Sequence, residues 1–186
     1  SGSMYGNNET LPLHEGLAPD LVSPYALQKY VGEEYVRLYS DIHGLPGVSL
    51  RYFNVYGPRM NLDGGAYTLV IAAFLRQKRE GKPLQITGDG NQTRDFTHVR
   101  DVVRANILAA ENDAISSGER INIGAGRNIS VRELAELMGG PTEYIPARKE
   151  NYHSLADNRR AGELLGWEPE VHLEDGIAEL LREWGI

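Results

Sequence analysis

Residues 23–54 read SPYALQKYVGEEYVRLYSDIHGLPGVSLRYFN. The opening Ser-Pro pair is typical of the first turn of a helix, and apolar residues follow it at spacings of three and four, which predicts a helix to about His43. Gly44 is placed to end that helix. The β-rich run 48–54, bounded by glycines, then predicts a strand.

The same alternation continues along the rest of the chain. Helices are predicted at 66–80, 100–112, 130–138, 158–165 and 173–184, and short strands at 84–87, 96–99 and 120–123. Because helices separate the strands, at least part of the sheet should be parallel, and the sequence predicts an α/β fold.

Composition excludes several classes of protein. The 186 residues are 41% hydrophobic, which is enough for a packed core, and the net charge of −7 argues against a nucleic-acid partner. The absence of cysteine excludes disulfides and thiolate nucleophiles and suits a cytoplasmic location. The apolar stretch Leu69–Leu75 is far too short to cross a bilayer, so no membrane partner is expected. The five histidines have no metal-type spacing, and no metal site is expected.

The first residues allow two interpretations. The chain opens Ser1-Gly-Ser-Met4 with no preceding methionine. Either a tag remnant precedes a native start, or the chain is the C-terminal part of a longer protein. The second is favoured, because residues 1–6 fit a motif in full.

Tyr25 and Lys29 are the first candidates for chemistry. They lie four residues apart on the predicted helix, so their side chains project from one face. An ammonium beside a phenol favours the phenolate, which can act as a base. Taken alone, Tyr-x-x-x-Lys is a weak signal, since many helices contain it by chance.

Four motifs in order strengthen that signal: SGSMYG at 1–6, SPYALQK at 23–29, RYFNVYGPR at 51–59 and GDGNQTRDF at 88–96. With them the chain resembles the extended short-chain dehydrogenase/reductase superfamily, and within it the NAD-dependent nucleotide-sugar epimerase/dehydratase family typified by UDP-glucose 4-epimerase. The resemblance implies the C-terminal part of a Rossmann-type doubly wound sheet at 1–62. It implies a small mixed α/β substrate-binding domain at 63–186, with short returns to the sheet.

The resemblance also implies site residues. Tyr25 matches the catalytic base, Lys29 the lysine on the nicotinamide ribose, and Ser1 the catalytic serine. Ser3, two residues on in an extended segment, would line the sugar site. Further residues would bind NAD (Tyr52 and Val55, with Tyr25 and Lys29) or the substrate (Asn54, Arg94, Arg148 and Ser154).

Other interpretations of these residues remain open. Arg94 could instead pair with Asp95 or Asp101, and Asn54 could be a turn residue at the end of a strand. The glycine-rich loop that holds the NAD pyrophosphate is not found, and Gly124-Ala-Gly126 lacks its third glycine.

The implied activity is epimerisation at C4 of a UDP-hexose, plain or N-acetylated, through a transient 4-keto sugar, with NAD as cofactor. Gly2 and Ser3 stand where 4,6-dehydratases carry acidic residues, which favours an epimerase. A dehydratase, a decarboxylase and a non-catalytic nucleotide-sugar-binding fragment remain alternatives. A homodimer is expected through the Tyr/Lys helix, with Tyr35, Val36 and Tyr39 exposed.

Overall fold

The structure is a computed structural model that describes residues 1–63, 69–147 and 153–186. Within those ranges the chain forms a 3₁₀ turn at Gly2–Tyr5, followed by α-helices and short strands. The helices are α1 Pro24–His43, α2 Val70–Arg79, α3 Val99–Ala110, α4 Val131–Met138, α5 Arg159–Leu165 and α6 Leu173–Trp184. The strands are β1 Val48–Tyr52, β2 Leu84–Thr87, β3 Thr93–Asp95, β4 Glu119–Ile123, β5 Asn128–Ser130 and β6 Thr142–Ile145.

The described strands pair two by two. β1 is parallel to β4, β2 is parallel to β6, and β3 is antiparallel to β5. In the first pair Val48 lies opposite Glu119 and Tyr52 opposite Ile123, so both strands end at the same edge. Parallel pairs connected by helices confirm the predicted α/β class.

Two hydrophobic clusters account for most of the packing. The larger packs α2, α4 and α6 around β2, with Phe74, Leu84 and Leu134 fully buried. The second packs α3 and α5 against β1 and β4, around the buried indole of Trp167. Burial of this kind supplies about 1.5–3 kcal/mol for each large apolar side chain. The division into two domains at 62/63 stays a prediction.

The predicted helices are confirmed to within a few residues, apart from the first residues predicted for α2, which lie outside the described part of the chain. The strand predicted at 96–99 is wrong. The strand ends at Asp95, and the next residues make only an isolated parallel bridge between Tyr56 and His98 before α3 begins. The sequence pattern missed β5 and β6, since strands of three or four residues are too short to show an alternation. None of the described helices is both long and apolar enough to cross a membrane.

Candidate active site

One open cavity of about 810 Å³ lies where the carboxyl end of β1 meets α1 and the 3₁₀ turn. The described residues that the sequence singled out for catalysis or binding all line it: Ser1, Ser3, Tyr25, Lys29, Tyr52, Asn54, Val55, Arg94 and Ser154. The carboxyl end of a parallel strand is where open α/β sheets bind their ligands. Arg148, the remaining predicted residue, lies outside the described residues.

Helix α1 presents Tyr25 and Lys29 to this cavity. The Ser23 hydroxyl accepts a hydrogen bond from the amide of Ala26 (3.1 Å) and caps the helix, and Gly44 ends it with a positive φ of 63°. Lys29 Nζ lies 5.3 Å from the centroid of the Tyr25 ring. The ammonium therefore lies against the phenol, as the spacing of four predicted.

The segment that carries Ser1 and Ser3 is a 3₁₀ turn, and the prediction that it is extended is wrong. The Ser1 hydroxyl caps the turn by accepting from the amide of Ser3 (3.3 Å), which favours a tight turn over an extended chain. The two hydroxyl oxygens lie 3.0 Å apart. The turn therefore brings two hydrogen-bonding hydroxyls to one place in the cavity wall.

A buried ion pair fixes α1 and this turn relative to β1. Arg51 donates two hydrogen bonds to the Glu33 carboxylate, from Nη2 to Oε1 (2.6 Å) and from Nε to Oε2 (2.9 Å). Arg51 Nη1 also donates to Tyr5 Oη (2.6 Å), which in turn donates to Asn122 Oδ1 (2.7 Å) on β4. Burial raises the pKa of the Tyr5 hydroxyl, so it stays protonated and serves as a hydrogen-bond link.

Glu33 also lines the cavity, although it was not among the residues predicted from the sequence. The spacing could have indicated it, since Glu33 follows Lys29 by four residues, as Lys29 follows Tyr25. Three polar residues at that spacing share one helix face.

A second wall of the cavity is formed by Asn54, Arg94 and Ser154. Asn54 and Ser154 are joined through the backbone of Asp95. Asn54 has a positive φ of 32°, which asparagine tolerates, and its Nδ2 donates to the carbonyl of Asp95 (2.7 Å). The amide of Asp95 donates to Ser154 Oγ (3.2 Å). Asn54 is therefore both the strand-end residue of one interpretation and a cavity residue of the other.

Arg94 is the basic residue of this wall, and its Nη1 donates to the carbonyl of Thr93 (2.9 Å). The carboxylates offered as alternative partners are engaged elsewhere. Asp95 accepts from backbone amides, and Asp101 accepts from the amides of Glu170 and Val171 (both 3.0 Å) and pairs with an arginine of its own helix.

The residues predicted to bind NAD lie together in this cavity. Tyr25, Lys29, Tyr52 and Val55 all line it, and their contacts with NAD stay predictions. The Tyr52 hydroxyl donates to Asn106 on α3 (2.9 Å), so it is already engaged within the chain.

The Gly124–Gly126 loop is not a pyrophosphate cradle. The amides of Ala125 and Gly126 donate to the Asp95 carboxylate (2.7 and 3.1 Å), and a Cβ on Gly124 would lie 2.3 Å from that of Ala156. Both the donors and the space are already used within the chain. Among the described residues, no His, Asp and Glu side chains gather in a group that could hold a metal ion.

Known proteins are similar to this chain in sequence. The sequence model of the NAD dependent epimerase/dehydratase family matches residues 1–124. The chain is 40% identical to a putative UDP-glucose 4-epimerase of Methanocaldococcus jannaschii and 38% identical to a UDP-glucose 4-epimerase of Mycolicibacterium smegmatis. Each alignment covers 97% of this chain and 59% of the relative, so the chain spans about three-fifths of the length of these relatives.

Solved structures give the same result. A UDP-glucose 4-epimerase of Thermotoga maritima with UDP-glucose superimposes with a TM-score of 0.87 at 38% identity, covering 99% of this chain and 60% of that one. A UDP-N-acetylglucosamine 4-epimerase of Methanobrevibacter ruminantium M1 superimposes with a TM-score of 0.88 at 32% identity, covering 98% and 61%. These neighbours confirm the Rossmann-type architecture. The chain belongs to the NAD-dependent epimerase/dehydratase family.

Proposed function

We propose that this chain provides the base and the substrate-binding wall of an enzyme that inverts C4 of a UDP-hexose, plain or N-acetylated, with NAD. The observation that carries the proposal is that one cavity brings the predicted site residues together. It collects a tyrosine with a lysine over its ring, two hydroxyls, and an arginine with two polar side chains.

The first wall of the cavity, formed by Tyr25, Lys29, Ser1 and Ser3, provides the groups that act on the sugar hydroxyl. Tyr25 takes the proton from the C4 hydroxyl, and the Lys29 ammonium stabilises the resulting charge on the phenolate. Ser1 hydrogen-bonds the sugar hydroxyl and holds it toward the base, and Ser3, whose hydroxyl lies 3.0 Å from that of Ser1, lines the sugar site. NAD, held by Tyr25, Lys29, Tyr52 and Val55, would supply reversible hydride transfer at C4.

The second wall holds the nucleotide. Arg94 provides a planar pair of donors that suits the diphosphate oxygens, and the Asn54 side chain contacts the same group. Ser154 is small, so the cavity has room beside it for an N-acetylated hexose. This wall orients the substrate and leaves the chemistry to Tyr25.

The exposed side of α1 supports a homodimer. Tyr35 and Tyr39 are 60% and 51% exposed, and Leu27, Val31 and Ile42 are exposed on the same helix. Val36, expected to be exposed with them, is half-buried against Gly47 and lines the cavity, because it lies on the other face of the helix. Aromatic and aliphatic side chains in one exposed row are typical of an interface.

The catalytic part of the proposal is tested by supplying UDP-galactose to a protein that carries this chain together with a glycine-rich NAD-binding half. UDP-glucose should form without net consumption of NAD. Tyr25→Phe should lower the turnover by about a hundredfold or more, since general-base contributions are of that order. Full activity in Tyr25→Phe would remove the tyrosine from its assigned role.

The chain alone supports a second candidate function, nucleotide-sugar binding without turnover. The observation that favours it is the Gly124–Gly126 loop, whose amides are used internally. Isothermal titration with UDP-glucose and with NAD separates the two candidates. Binding of UDP-glucose alone supports the binding function for the isolated chain, and binding of both supports the enzyme.

A further inference from the structure

Asp95 is a fully buried acid whose carboxylate joins two segments that are distant in sequence. Its Oδ1 accepts from the amide of Ala125 (2.7 Å), and its Oδ2 accepts from the amides of Gly126 (3.1 Å) and Ala156 (2.9 Å). Three hydrogen bonds to an ionised group are each stronger than neutral ones. Segments 124–126 and 154–156 are therefore fastened to β3.

The backbone of Asp95 makes a second set of bonds, toward the cavity. Its carbonyl accepts from Asn54 Nδ2 (2.7 Å), and its amide donates to Ser154 Oγ (3.2 Å). Arg94 is its neighbour in the chain. One buried residue thus joins Asn54, Arg94 and Ser154, the three described side chains proposed to bind the sugar nucleotide.

These bonds also orient the Ser154 hydroxyl. Its oxygen accepts from the amide of Asp95 and, at 3.5 Å, from Asn54 Nδ2. A serine hydroxyl has two acceptor positions and one donor. With both acceptor positions turned toward protein donors, the hydroxyl presents its proton, which suits an oxygen acceptor such as a phosphate or a sugar hydroxyl.

We propose that Asp95 is a positioning residue for the nucleotide-sugar site: its carboxylate holds segments 124–126 and 154–156 in place, so that Asn54, Arg94 and Ser154 converge on the ligand. The inference rests on the proposed function, because it assumes that this wall binds a sugar nucleotide. Asp95 itself does not touch the ligand.

Asp95→Asn is the most direct test. The amide has one acceptor oxygen, and in either orientation its NH₂ faces at least one backbone N–H, so a donor opposes a donor. Gly124→Ala disturbs the same contact, between the Asp95 carboxylate and segment 124–126, by a change in the segment instead of the carboxylate. Its new Cβ would lie 2.9 Å from Asp95 Oδ2 and 2.3 Å from the Cβ of Ala156.

Asp101→Asn is the matched control. Asp101 is also a buried acid that accepts two backbone amides, from Glu170 and Val171, and these residues do not line the cavity. The control disturbs the same kind of bond and lowers the stability in a similar way. A merely structural role of Asp95 predicts equal effects of the two variants on ligand affinity.

The measurement is isothermal titration of the 186-residue chain with UDP-glucose, at a temperature where each variant is folded. Asp95→Asn and Gly124→Ala should each weaken binding about tenfold or more, and Asp101→Asn less than about twofold. Affinity within twofold of wild type in Asp95→Asn, or an equal loss in Asp101→Asn, overturns the positioning role. No binding by the wild-type chain overturns the proposed function and the inference with it.

A measurement on the wild-type chain covers the case of variants that do not fold. In ¹⁵N-resolved spectra, saturation with UDP-glucose should shift the amide signals of Ala125, Gly126 and Ala156. The amides of Glu170 and Val171 should stay in place. Unchanged signals at the first three positions in a saturated sample overturn the proposal, whereas shifts at these positions with Glu170 and Val171 unchanged support it.

Discussion

The Glu33–Arg51 pair predicts a large and asymmetric loss of stability. The two side chains are only 3% and 4% exposed, and two hydrogen bonds join them. Removing one member of a buried pair leaves a charge without compensation and costs about 3–5 kcal/mol. Glu33→Gln keeps one acceptor oxygen, so we expect the lower end, about 3 kcal/mol.

Arg51→Met should be milder. It leaves Glu33 with a second cationic partner, since Arg120 Nε lies 2.8 Å from Glu33 Oε1. The double variant Glu33→Gln/Arg51→Met removes the stranded charge, and its loss should be smaller than the sum of the two single losses. Glu34→Gln is the control, because its carboxylate is 25% exposed and a partly solvated pair contributes about 1 kcal/mol or less.

Thermal and urea unfolding followed by circular dichroism measure these losses. For a chain of this size, 3 kcal/mol corresponds to a fall in Tm of roughly 6–12 °C. A loss below about 1 kcal/mol in Glu33→Gln, or single losses that add fully in the double variant, would refute the account of α1 as a helix fixed by a buried charge pair.

Three further predictions concern glycine substitutions, a helix cap and the pH dependence of stability. Gly176→Ala places a Cβ 2.2 Å from the Tyr56 hydroxyl and should destabilise by about 1–3 kcal/mol in urea unfolding, whereas Gly162→Ala meets nothing closer than 4.0 Å and should be neutral or stabilising. Ser130→Ala removes the capping box of α4, and unfolding should report a loss of about 1 kcal/mol, so an unchanged midpoint would contradict the cap. Burial raises the pKa of Asp95 from 3.8 to about 6. Between about pH 4 and 6 the folded chain therefore holds a proton that the unfolded chain releases. This contribution to the free energy of unfolding is fully present below about pH 4 and is lost as the pH rises through about 6. The difference between wild type and Asp95→Asn, measured from pH 4 to 7, should show that fall, and a difference that rises with pH would contradict it.

Local patterns in the sequence determined the helices and the residues of the candidate site. The caps of α1 and α4 and the apolar spacing within the helices act over three or four residues, so they can be read from the chain itself. Tyr25 and Lys29 face the same cavity for the same reason. The four motifs, found in the same order as in the family, then identified the other cavity residues, whose roles remain predictions.

Tertiary structure alone decided what holds those residues in place. Arg51 meets Glu33 across 18 residues, Asp95 meets Ala156 across 61, and Tyr5 meets Asn122 across 117. No periodicity within a helix or strand records such pairs. A buried carboxylate takes whichever donors the folded chain brings to it, because burial without a partner is costly. The hydrogen bonds of the Asp95 carboxylate and the ion pair at Glu33 therefore depend on packing between distant segments.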